Sequence, residues 1–191
     1  MDYQVLYRKY RPKNFNEVIG QNHITTILKN SIVNDKLAHT YIFTGPRGTG
    51  KTSSARIFAK TLNCQNLKDG ICCDKCDNCL NFNSSPDIIE LDAASNNGVE
   101  NIREIIDNVN VAPTYNKYKV YIIDEAHMLS TSAWNAFLKT LEEPPESVIF
   151  ILATTEIKKV PITVLSRCQR FDFKRIDAEE IKNNLMNICT L

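Results

Sequence analysis

The chain has 191 residues, enough for one α/β domain with a substantial core and the start of a second domain. Hydrophobic residues make up 43% and charged residues 24% of it, the composition of an ordinary soluble globular protein, and the formal net charge of +1 lacks the basic excess of a dedicated DNA-binding domain. An apolar run of about 18 residues and a hydrophobic signal segment are both missing, so we expect a cytoplasmic protein without membrane contact.

Short apolar runs predict strands, and apolar residues spaced at i, i+3, i+4 and i+7 predict helices. The predicted strands, in chain order, are 41–44, 86–92, 120–124, 148–153 and 171–173. A helix is predicted from Ser53 to Leu62, and apolar stripes predict others at Ile24, Ile27, Leu28 and Ile32, at Val99, Ile102, Ile106 and Val109, and at Trp134, Phe137, Leu138 and Leu141. Strands that alternate with helices predict a parallel sheet covered on both faces, with these stripes in its core.

The glycine-rich segment 45–52 follows the first predicted strand and precedes a helix, which is the context of a P-loop. Glycines leave backbone N–H groups bare for a phosphate chain, Lys51 can reach the β- and γ-phosphates, and Thr52 can bind Mg²⁺. The N-terminal end of the following helix also favours an anion. We therefore predict a nucleoside triphosphate site formed by Gly45, Pro46, Arg47, Gly48, Thr49, Gly50, Lys51, Thr52 and Ser53.

Two acids end the strand 120–124, at the edge where parallel α/β sheets bind ligands. We assign Asp124 to Mg²⁺, together with Thr52, and Glu125 to the role of general base for an attacking water. His127 is interpreted as a polar turn residue and not as a catalytic one. Thr154 and Thr155 follow the next predicted strand, where a polar side chain could bond the γ-phosphate or the water.

Arg167 leaves two alternatives open from the sequence alone. An isolated arginine usually solvates a surface or pairs with an acid. An arginine finger, in contrast, must be presented at an edge to neutralise charge on a transferring phosphoryl group.

Seven cysteines in a chain expected to be cytoplasmic indicate metal or thiol chemistry and not disulfides. Four of them have the spacing C-x8-C-x2-C-x2-C, which suits a closed tetrahedral Zn²⁺ site. The predicted ligands are Cys64, Cys73, Cys76 and Cys79. Cys72 could replace Cys73, and a set of free or redox-active thiols remains the alternative to zinc. Cys168 and Cys189 are expected to be ordinary buried thiols.

Several segments carry a more specific resemblance. They are 7–12 (Tyr-Arg-Lys-Tyr-Arg-Pro), 18–21 (Val-Ile-Gly-Gln), the P-loop, 62–64, the cysteine segment 73–79, 92–95, 120–129, 138–145, 152–155 and 165–168. Together they resemble the N-terminal ATPase region of the tau/gamma subunits of bacterial DNA polymerase III clamp loaders, a branch of the AAA+ family. The inserted cysteines and the Ser-Arg-Cys triplet at 166–168 are the most specific of these features.

The resemblance implies an α/β fold, a P-loop AAA+ domain over residues 1–176 with a five-stranded parallel sheet flanked by helices. It implies a zinc-binding insertion at 63–80 and the first helix of a helical lid at 177–191. Asp177 is expected to cap that helix, whose apolar face of Ile181, Leu185 and Ile188 lacks a partner, so a fragment of a longer protein is expected.

The resemblance also implies roles for particular residues. Tyr7, Arg11, Pro12, Val18 and Ile19 would bind the nucleotide, the last four at its adenine and ribose end. Thr155 would be a sensor of the γ-phosphate, and Lys51, Glu125, Thr155 and Arg167 would be the catalytic set, with Arg167 delivered in trans to a neighbouring subunit. The segment 95–98 and Arg103 would face the DNA backbone.

The implied function is that of an ATP-hydrolysing motor that loads a sliding clamp onto primed DNA, using ATP, Mg²⁺ and a structural Zn²⁺. The implied partners are other clamp-loader subunits in a heteropentamer, the sliding clamp and primer-template DNA. The chain would serve a DNA-directed DNA polymerase holoenzyme, a nucleotidyltransferase, without holding its polymerase active site. The alternatives are a non-hydrolysing scaffold subunit and a different AAA+ motor such as a branch-migration helicase.

Overall fold

A five-stranded, all-parallel sheet forms the centre of the protein. The computed structural model describes residues 5–190, without the side chains of residues 7 and 8. The strands lie in the order β2-β3-β4-β1-β5 and comprise β1 (Thr40–Thr44), β2 (Ile88–Asp92), β3 (Lys119–Asp124), β4 (Val148–Thr154) and β5 (Gln169–Asp172). All residues of β1 and β4 are buried, as expected for parallel strands covered on both faces.

Helices connect the strands and cover the sheet. They are α1 (Leu6–Lys9), α2 (Asn22–Val33), α3 (Lys51–Leu62), α4 (Asp77–Leu80), α5 (Val99–Val109), α6 (Thr131–Glu142), α7 (Ile162–Leu165) and α8 (Ala178–Cys189). Short 3-10 turns lie at Phe15–Glu17, Phe82–Ser84, Ala126–Met128 and Ile157–Lys159. α6 shows how local sequence sets such a helix: the Ser130 hydroxyl accepts a hydrogen bond from the Ala133 N–H at its start, and two prolines follow its end.

The sheet separates two hydrophobic cores, because successive side chains of a strand point to opposite faces. Tyr41 and Phe43 of β1 pack with α2 and α3 on one face. Ile42 of the same strand, with Phe150 of β4, packs with α5 and α6 on the other. The predicted α/β fold with helices on both faces of a parallel sheet is therefore confirmed.

The structure corrects several details. The fifth strand begins at Gln169 and ends before Phe173, two residues earlier than expected at its start, and α3 begins at Lys51 instead of Ser53. Ile27, assigned to an apolar core stripe, is 49% exposed because it lies on the outer side of α2. Cys189, expected to be buried, is exposed on α8.

α8 lies where the lid helix was expected, and the boundary between domains at 176/177 stays a prediction. Asp177 occupies its N-cap position, but its side chain makes no capping hydrogen bond within the described chain. Ile181 and Leu185 are 44% and 56% exposed. None of the helices described for residues 5–190 has both the length and the apolar character needed to cross a bilayer.

Candidate nucleotide-binding site

The predicted P-loop connects β1 to α3 at the carboxyl edge of the sheet. Gly45, Gly48 and Gly50 have φ values of 149°, 79° and 91°, a region that side-chain-bearing residues rarely adopt. A Cβ at Gly45 would lie 2.4 Å from the Phe173 carbonyl oxygen, whereas one at Gly48 or Gly50 would meet no atom within 4 Å. Gly48 and Gly50 are therefore required by their positive φ values and not by a close neighbour, and both border open space.

A polar cleft of about 360 Å³ lies beside this loop. Its lining combines cationic groups, bare backbone and two carboxylates, a donor and acceptor set that suits a phosphate chain with a divalent cation. The lining residues are Arg11, Arg47, Gly48, Gly50, Lys51, Thr52, Ser53, Asp124 and Glu125. Arg11 joins the loop to the N-terminal segment, since its Nε donates to Ser53 Oγ at 3.1 Å.

Lys51 is buried at the start of α3, with its ammonium group turned back onto the loop. Its Nζ donates to the carbonyl oxygens of Gly45 and Pro46, each at 2.9 Å. Burial lowers the pKa of Lys51, and the negative charges of Glu125 and Asp124 oppose that shift. The lysine is thus held at the loop by hydrogen bonds that a phosphate oxygen can replace.

Asp124 is fixed by its neighbours on both carboxylate oxygens. Thr52 Oγ1 donates to its Oδ2 at 2.7 Å, and the Glu125 N–H donates to its Oδ1 at 2.9 Å. The structure therefore brings together the two residues predicted to bind Mg²⁺, although they are 72 positions apart in the chain. A hydroxyl and a carboxylate at this distance are hard oxygen ligands of the kind that Mg²⁺ prefers.

Glu125 follows β3 in a left-handed conformation, with φ 47° and ψ 43°. The conformation is unusual for a residue with a long side chain. It turns Glu125 toward the end of β4, which pairs with β3, and Thr155 Oγ1 donates to Glu125 Oε2 at 3.2 Å. The predicted base and the predicted sensor residue are therefore neighbours.

His127 lies in the 3-10 turn Ala126–Met128, as expected of a turn residue, and its ring also contacts the residues at this edge of the sheet. Its side chain is only 7% exposed. Nδ1 lies 3.0 Å from Thr154 Oγ1 and 3.5 Å from Glu125 Oε2, while Nε2 lies 3.5 Å from Glu156 Oε1. The sequence could have indicated this position, because His127 lies two residues after Glu125. Its contact with Thr154 could not be predicted, because it depends on β4 lying next to β3 in the sheet.

A second, larger cleft of about 560 Å³ adjoins the first through Arg11 and is bounded by α8. Pro12 and Ile19, predicted to line the adenine end, lie in its wall, with Asn184, Asn187 and Ile188 of α8 opposite. Val18 is instead 7% exposed and packs in the core under α3. The predicted role of the Tyr7 side chain lies outside the described residues.

Arg167 lies apart from the P-loop cleft, just after α7. Its guanidinium group bonds the Glu142 carboxylate at the end of α6, the Thr163 carbonyl oxygen and the Ser166 hydroxyl. These contacts are compatible with either alternative raised by the sequence. An exposed arginine–carboxylate pair contributes little to stability, so little free energy is needed to separate the Arg167 guanidinium from Glu142.

The segment 95–98 forms the connection between β2 and α5. It is tied back to the sheet edge, because the Ser130 N–H donates to the Asn97 carbonyl oxygen at 3.2 Å and Asp92 accepts from the Ser95 hydroxyl at 3.2 Å. Arg103 is exposed on α5. The predicted DNA contact of these residues stays a prediction.

Four cysteine sulfurs converge in the insertion after α3. The metal-coordinating atoms of Cys64, Cys73, Cys76 and Cys79 all lie within 4.8 Å of one another. A tetrahedral zinc–thiolate site would place its sulfurs roughly 3.8 Å apart, given Zn–S bonds of about 2.3 Å, so the four residues fit Zn²⁺.

Backbone donors and a fifth cysteine refine this picture. The N–H groups of Lys75 and Cys76 donate to Cys73 Sγ at 3.5 and 3.3 Å and hold the pKa of that thiol down to about 6. Cys72 Sγ points instead to Lys13 O and Asp74 Oδ1, and burial raises its pKa to about 11. The geometry thus favours Cys73 over Cys72 as the ligand.

Comparison with known proteins adds a family. The profile of the family described as "DNA polymerase III, delta subunit" matches residues 20–177. The chain belongs to this family. The family description names a subunit of DNA polymerase III, in agreement with the resemblance seen in the sequence.

Curated relatives confirm the resemblance to tau/gamma subunits. The DNA polymerase III subunit tau of Bacillus subtilis (strain 168) is 56% identical over 190 residues, which cover 98% of this chain and 34% of the relative. That of Escherichia coli (strain K12) is 50% identical over 190 residues, covering 98% and 30%. The chain therefore spans about a third of the length of these relatives.

Solved structures confirm the fold. A DNA polymerase III gamma subunit-related protein of Thermotoga maritima has a TM-score of 0.61 and 24% identity over 80% of this chain and 46% of that one. The RuvB Holliday junction branch migration motor of Thermotoga maritima has a TM-score of 0.66 and 19% identity over 95% and 54%. At these identities the likeness concerns architecture alone.

Proposed function

We propose that this chain is the ATP-binding and ATP-hydrolysing motor subunit of a DNA polymerase III clamp loader, which places a sliding clamp on primed DNA. The carrying observation is that Lys51 and Thr52 line one cleft together with Asp124 and Glu125, although the two pairs come from separate segments of the chain. Thr155, from a third segment, bonds the Glu125 carboxylate. The 50–56% identity to tau and tau/gamma subunits supports the clamp-loader setting.

In this proposal the P-loop N–H groups and Lys51 bind the phosphates. Thr52 and Asp124 hold Mg²⁺, which neutralises charge on the phosphates when it is bound. Glu125 accepts a proton from the attacking water, and Thr155 reads the γ-phosphate while contacting that base. The cleft beside Pro12 and Ile19 receives the adenine ring and the ribose of ATP.

Arg167 completes the site in trans in this proposal. It lies away from its own P-loop cleft, in a weak exposed pair with Glu142 that a neighbour's phosphate can replace. Hydrolysis then depends on assembly with other clamp-loader subunits in a heteropentamer. ATP binding favours the assembly state that holds the clamp and primer-template DNA, and hydrolysis releases both.

Zinc has a structural role in the proposal. Four thiolates fill the coordination sphere, so the metal would stabilise the insertion at 63–80 without open positions for catalysis.

The intact acids favour a motor over a non-hydrolysing scaffold subunit, which would need neither Asp124 nor Glu125. A branch-migration helicase shares the fold, but the cysteine cluster and the identity to tau subunits favour the clamp loader. Glu125→Gln tests the choice between motor and scaffold. A complex that binds ATP but turns it over far more slowly supports the motor, and unchanged turnover contradicts it.

The test of trans catalysis is the ATPase rate of the complete subunit as a function of its concentration, with increasing amounts of an Arg167→Ala variant mixed in. We expect the ATPase rate per subunit to rise with protein concentration and to fall as the Arg167→Ala variant is added. Arg170→Ala is the matched control, because Arg170 is also exposed and paired, with Asp172. A rate that is independent of concentration and of Arg167 would overturn the proposed assembly mechanism.

A further inference from the structure

His127 is a nearly buried imidazole whose two ring nitrogens face different carboxylates. Nδ1 faces inward, 3.0 Å from Thr154 Oγ1 and 3.5 Å from Glu125 Oε2. Nε2 faces outward, 3.5 Å from Glu156 Oε1, and Glu156 is itself bonded to Lys159 Nζ at 2.9 Å. The ring therefore stands between the proposed base and a surface ion pair.

Thr154 fixes the inner nitrogen of this imidazole. Thr154 is fully buried at the end of β4, and its Oγ1 also accepts the Glu156 N–H at 3.0 Å. The position of that hydroxyl is thus set by the backbone of β4 and of the turn after it. A ring that bonds such a hydroxyl has little freedom to rotate, because its side chain is 7% exposed.

Glu125 is approached on a single oxygen by two neighbours. Both the Thr155 hydroxyl, at 3.2 Å, and His127 Nδ1 lie against Oε2. A carboxylate that is held through one oxygen keeps the other for a water molecule. The two contacts thus act on the same carboxylate oxygen, one as a hydrogen bond and the other as a 3.5 Å approach of the imidazole nitrogen.

We propose that His127 is a positioning residue, which acts through Glu125: with Thr155 it holds Oε2 and so orients the carboxylate toward the attacking water. This inference rests on the proposed function, because it needs Glu125 to be the base. His127 itself contacts neither nucleotide nor metal in the proposal. Removing it should therefore slow the hydrolytic step and leave nucleotide affinity in place.

The test uses single-turnover ATP hydrolysis and ATP dissociation constants for the complete subunit in its assembled complex. We expect His127→Ala to lower the hydrolysis rate about 10- to 100-fold, as a misplaced catalytic group does, with ATP affinity unchanged. His127→Asn keeps a polar atom near the place of Nδ1, whereas His127→Gln keeps one near the place of Nε2. We expect the Asn variant to recover most of the rate and the Gln variant to stay slow.

Two controls separate the possible explanations. Thermal unfolding of the Asn and Gln variants checks that a difference in rate does not reflect a difference in stability. Glu156→Gln removes the charge of the outer partner, and a loss of rate equal to that of His127→Ala would overturn the proposal, because the histidine would then act through Glu156. Equal rates for the Asn and Gln variants would also overturn it.

Failure of this inference is distinguishable from failure of the proposed function. If Glu125→Gln abolishes hydrolysis but His127→Ala is as fast as the unmodified protein, Glu125 is the base and His127 does not position it. If Glu125→Gln hydrolyses ATP at the unmodified rate, the motor function fails first, and the positioning role fails with it.

Discussion

At the scale of single residues, the P-loop glycines differ in what makes them necessary. Gly45 is confined by its surroundings, because a Cβ there would lie 2.4 Å from the Phe173 carbonyl oxygen and 2.9 Å from Phe173 Cβ. Gly48 has a positive φ of 79° but no neighbour within 4 Å of a built Cβ. The first position therefore faces a clash with backbone in addition to strain, and the second faces strain alone.

We expect Gly45→Ala to lower the free energy of unfolding by about 3 kcal/mol and Gly48→Ala by about 1 kcal/mol. The difference arises because the Phe173 carbonyl belongs to the segment leaving β5 and cannot move without disturbing the sheet. Urea denaturation of the two variants measures both values. Equal decreases in the free energy of unfolding for the two variants would show that the structure relieves the clash at Gly45 without losing stability.

Asp87 is a buried carboxylate that holds the loop before β3. Burial acts to raise the pKa of Asp87, but the N–H groups of Thr114, Tyr115 and Asn116, which donate at 2.7 to 3.0 Å, outweigh it and lower the pKa below the ordinary value. A lowered native pKa means that the stabilisation is complete above the unfolded-state pKa of about 3.9 and is lost as the pH falls through the native pKa.

We expect Asp87→Asn to lower the free energy of unfolding by about 2 kcal/mol at pH 7 and to flatten its decline below about pH 4. Denaturation curves between neutral and acid pH measure both effects. Asp69→Asn, in an exposed turn, is the matched control. An Asp87→Asn protein with the pH profile of the unmodified chain would refute the assignment.

At the scale of elements, the cysteine insertion is tied to the domain at its base and at its tip. Asn63 bonds the Tyr118 backbone on both sides, with Nδ2 donating to O at 3.0 Å and Oδ1 accepting from N at 2.9 Å. At the tip, Gly70 packs so closely on α2 that a Cβ would lie 2.9 Å from Lys29 Cβ. The insertion thus docks as a folded element and not as a free loop.

Cys76 and Cys72 offer a matched pair for testing the proposed metal, since both are buried thiols of one short segment. We expect Cys76→Ser to lose bound zinc and to unfold the insertion, because one of the four converging ligands is removed. Cys72→Ser should retain one zinc per chain, since its sulfur points to Asp74. Metal analysis of the purified proteins decides, and loss of zinc in the Cys72 variant would reassign the site.

At the scale of the whole molecule, β4 is the strand on which the two cores and the site depend. It lies between β3 and β1, and its last residue contacts His127. Phe150 in its middle stacks on Tyr121 of β3 with ring centroids 5.3 Å apart and meets Phe137 of α6 edge-on at 5.0 Å. One side chain therefore joins two strands and a helix.

We expect Phe150→Ala to lower the free energy of unfolding by about 4 kcal/mol, because it leaves a cavity among fully buried residues. Denaturation followed by Trp134 fluorescence reports this core directly. Ile162→Ala is the control, since Ile162 is 76% exposed and should leave the transition unchanged. A loss below about 1 kcal/mol for Phe150→Ala would mean that the core closes over the gap.

The sequence predicted the sheet and the P-loop because both are local patterns, an apolar run followed by glycines or acids. It misplaced the start of β5 because this edge strand begins with two exposed polar residues, Gln169 and Arg170, and only Phe171 is buried, so no apolar run marks the start. It wrongly assigned Ile27 to the core because helical spacing shows which residues share one side of a helix, but not which of them the rest of the protein buries.

The contacts of His127 were beyond a sequence argument for another reason. Its partner Thr154 ends β4 and its partner Glu156 lies in the turn after β4, and the pairing of β3 with β4 brings both to it. The meeting of Thr52 with Asp124 depends likewise on strand order, although two familiar motifs made it predictable.

In the proposed mechanism, the left-handed conformation of Glu125 makes the demands of catalysis and of thermodynamic stability conflict. An asparagine or glycine adopts that backbone with less strain than glutamate does, so the residue best suited to the chemistry is not the one best suited to the fold. Under the proposed function, selection for stability alone would therefore replace Glu125 and yield a more stable protein that no longer hydrolyses ATP.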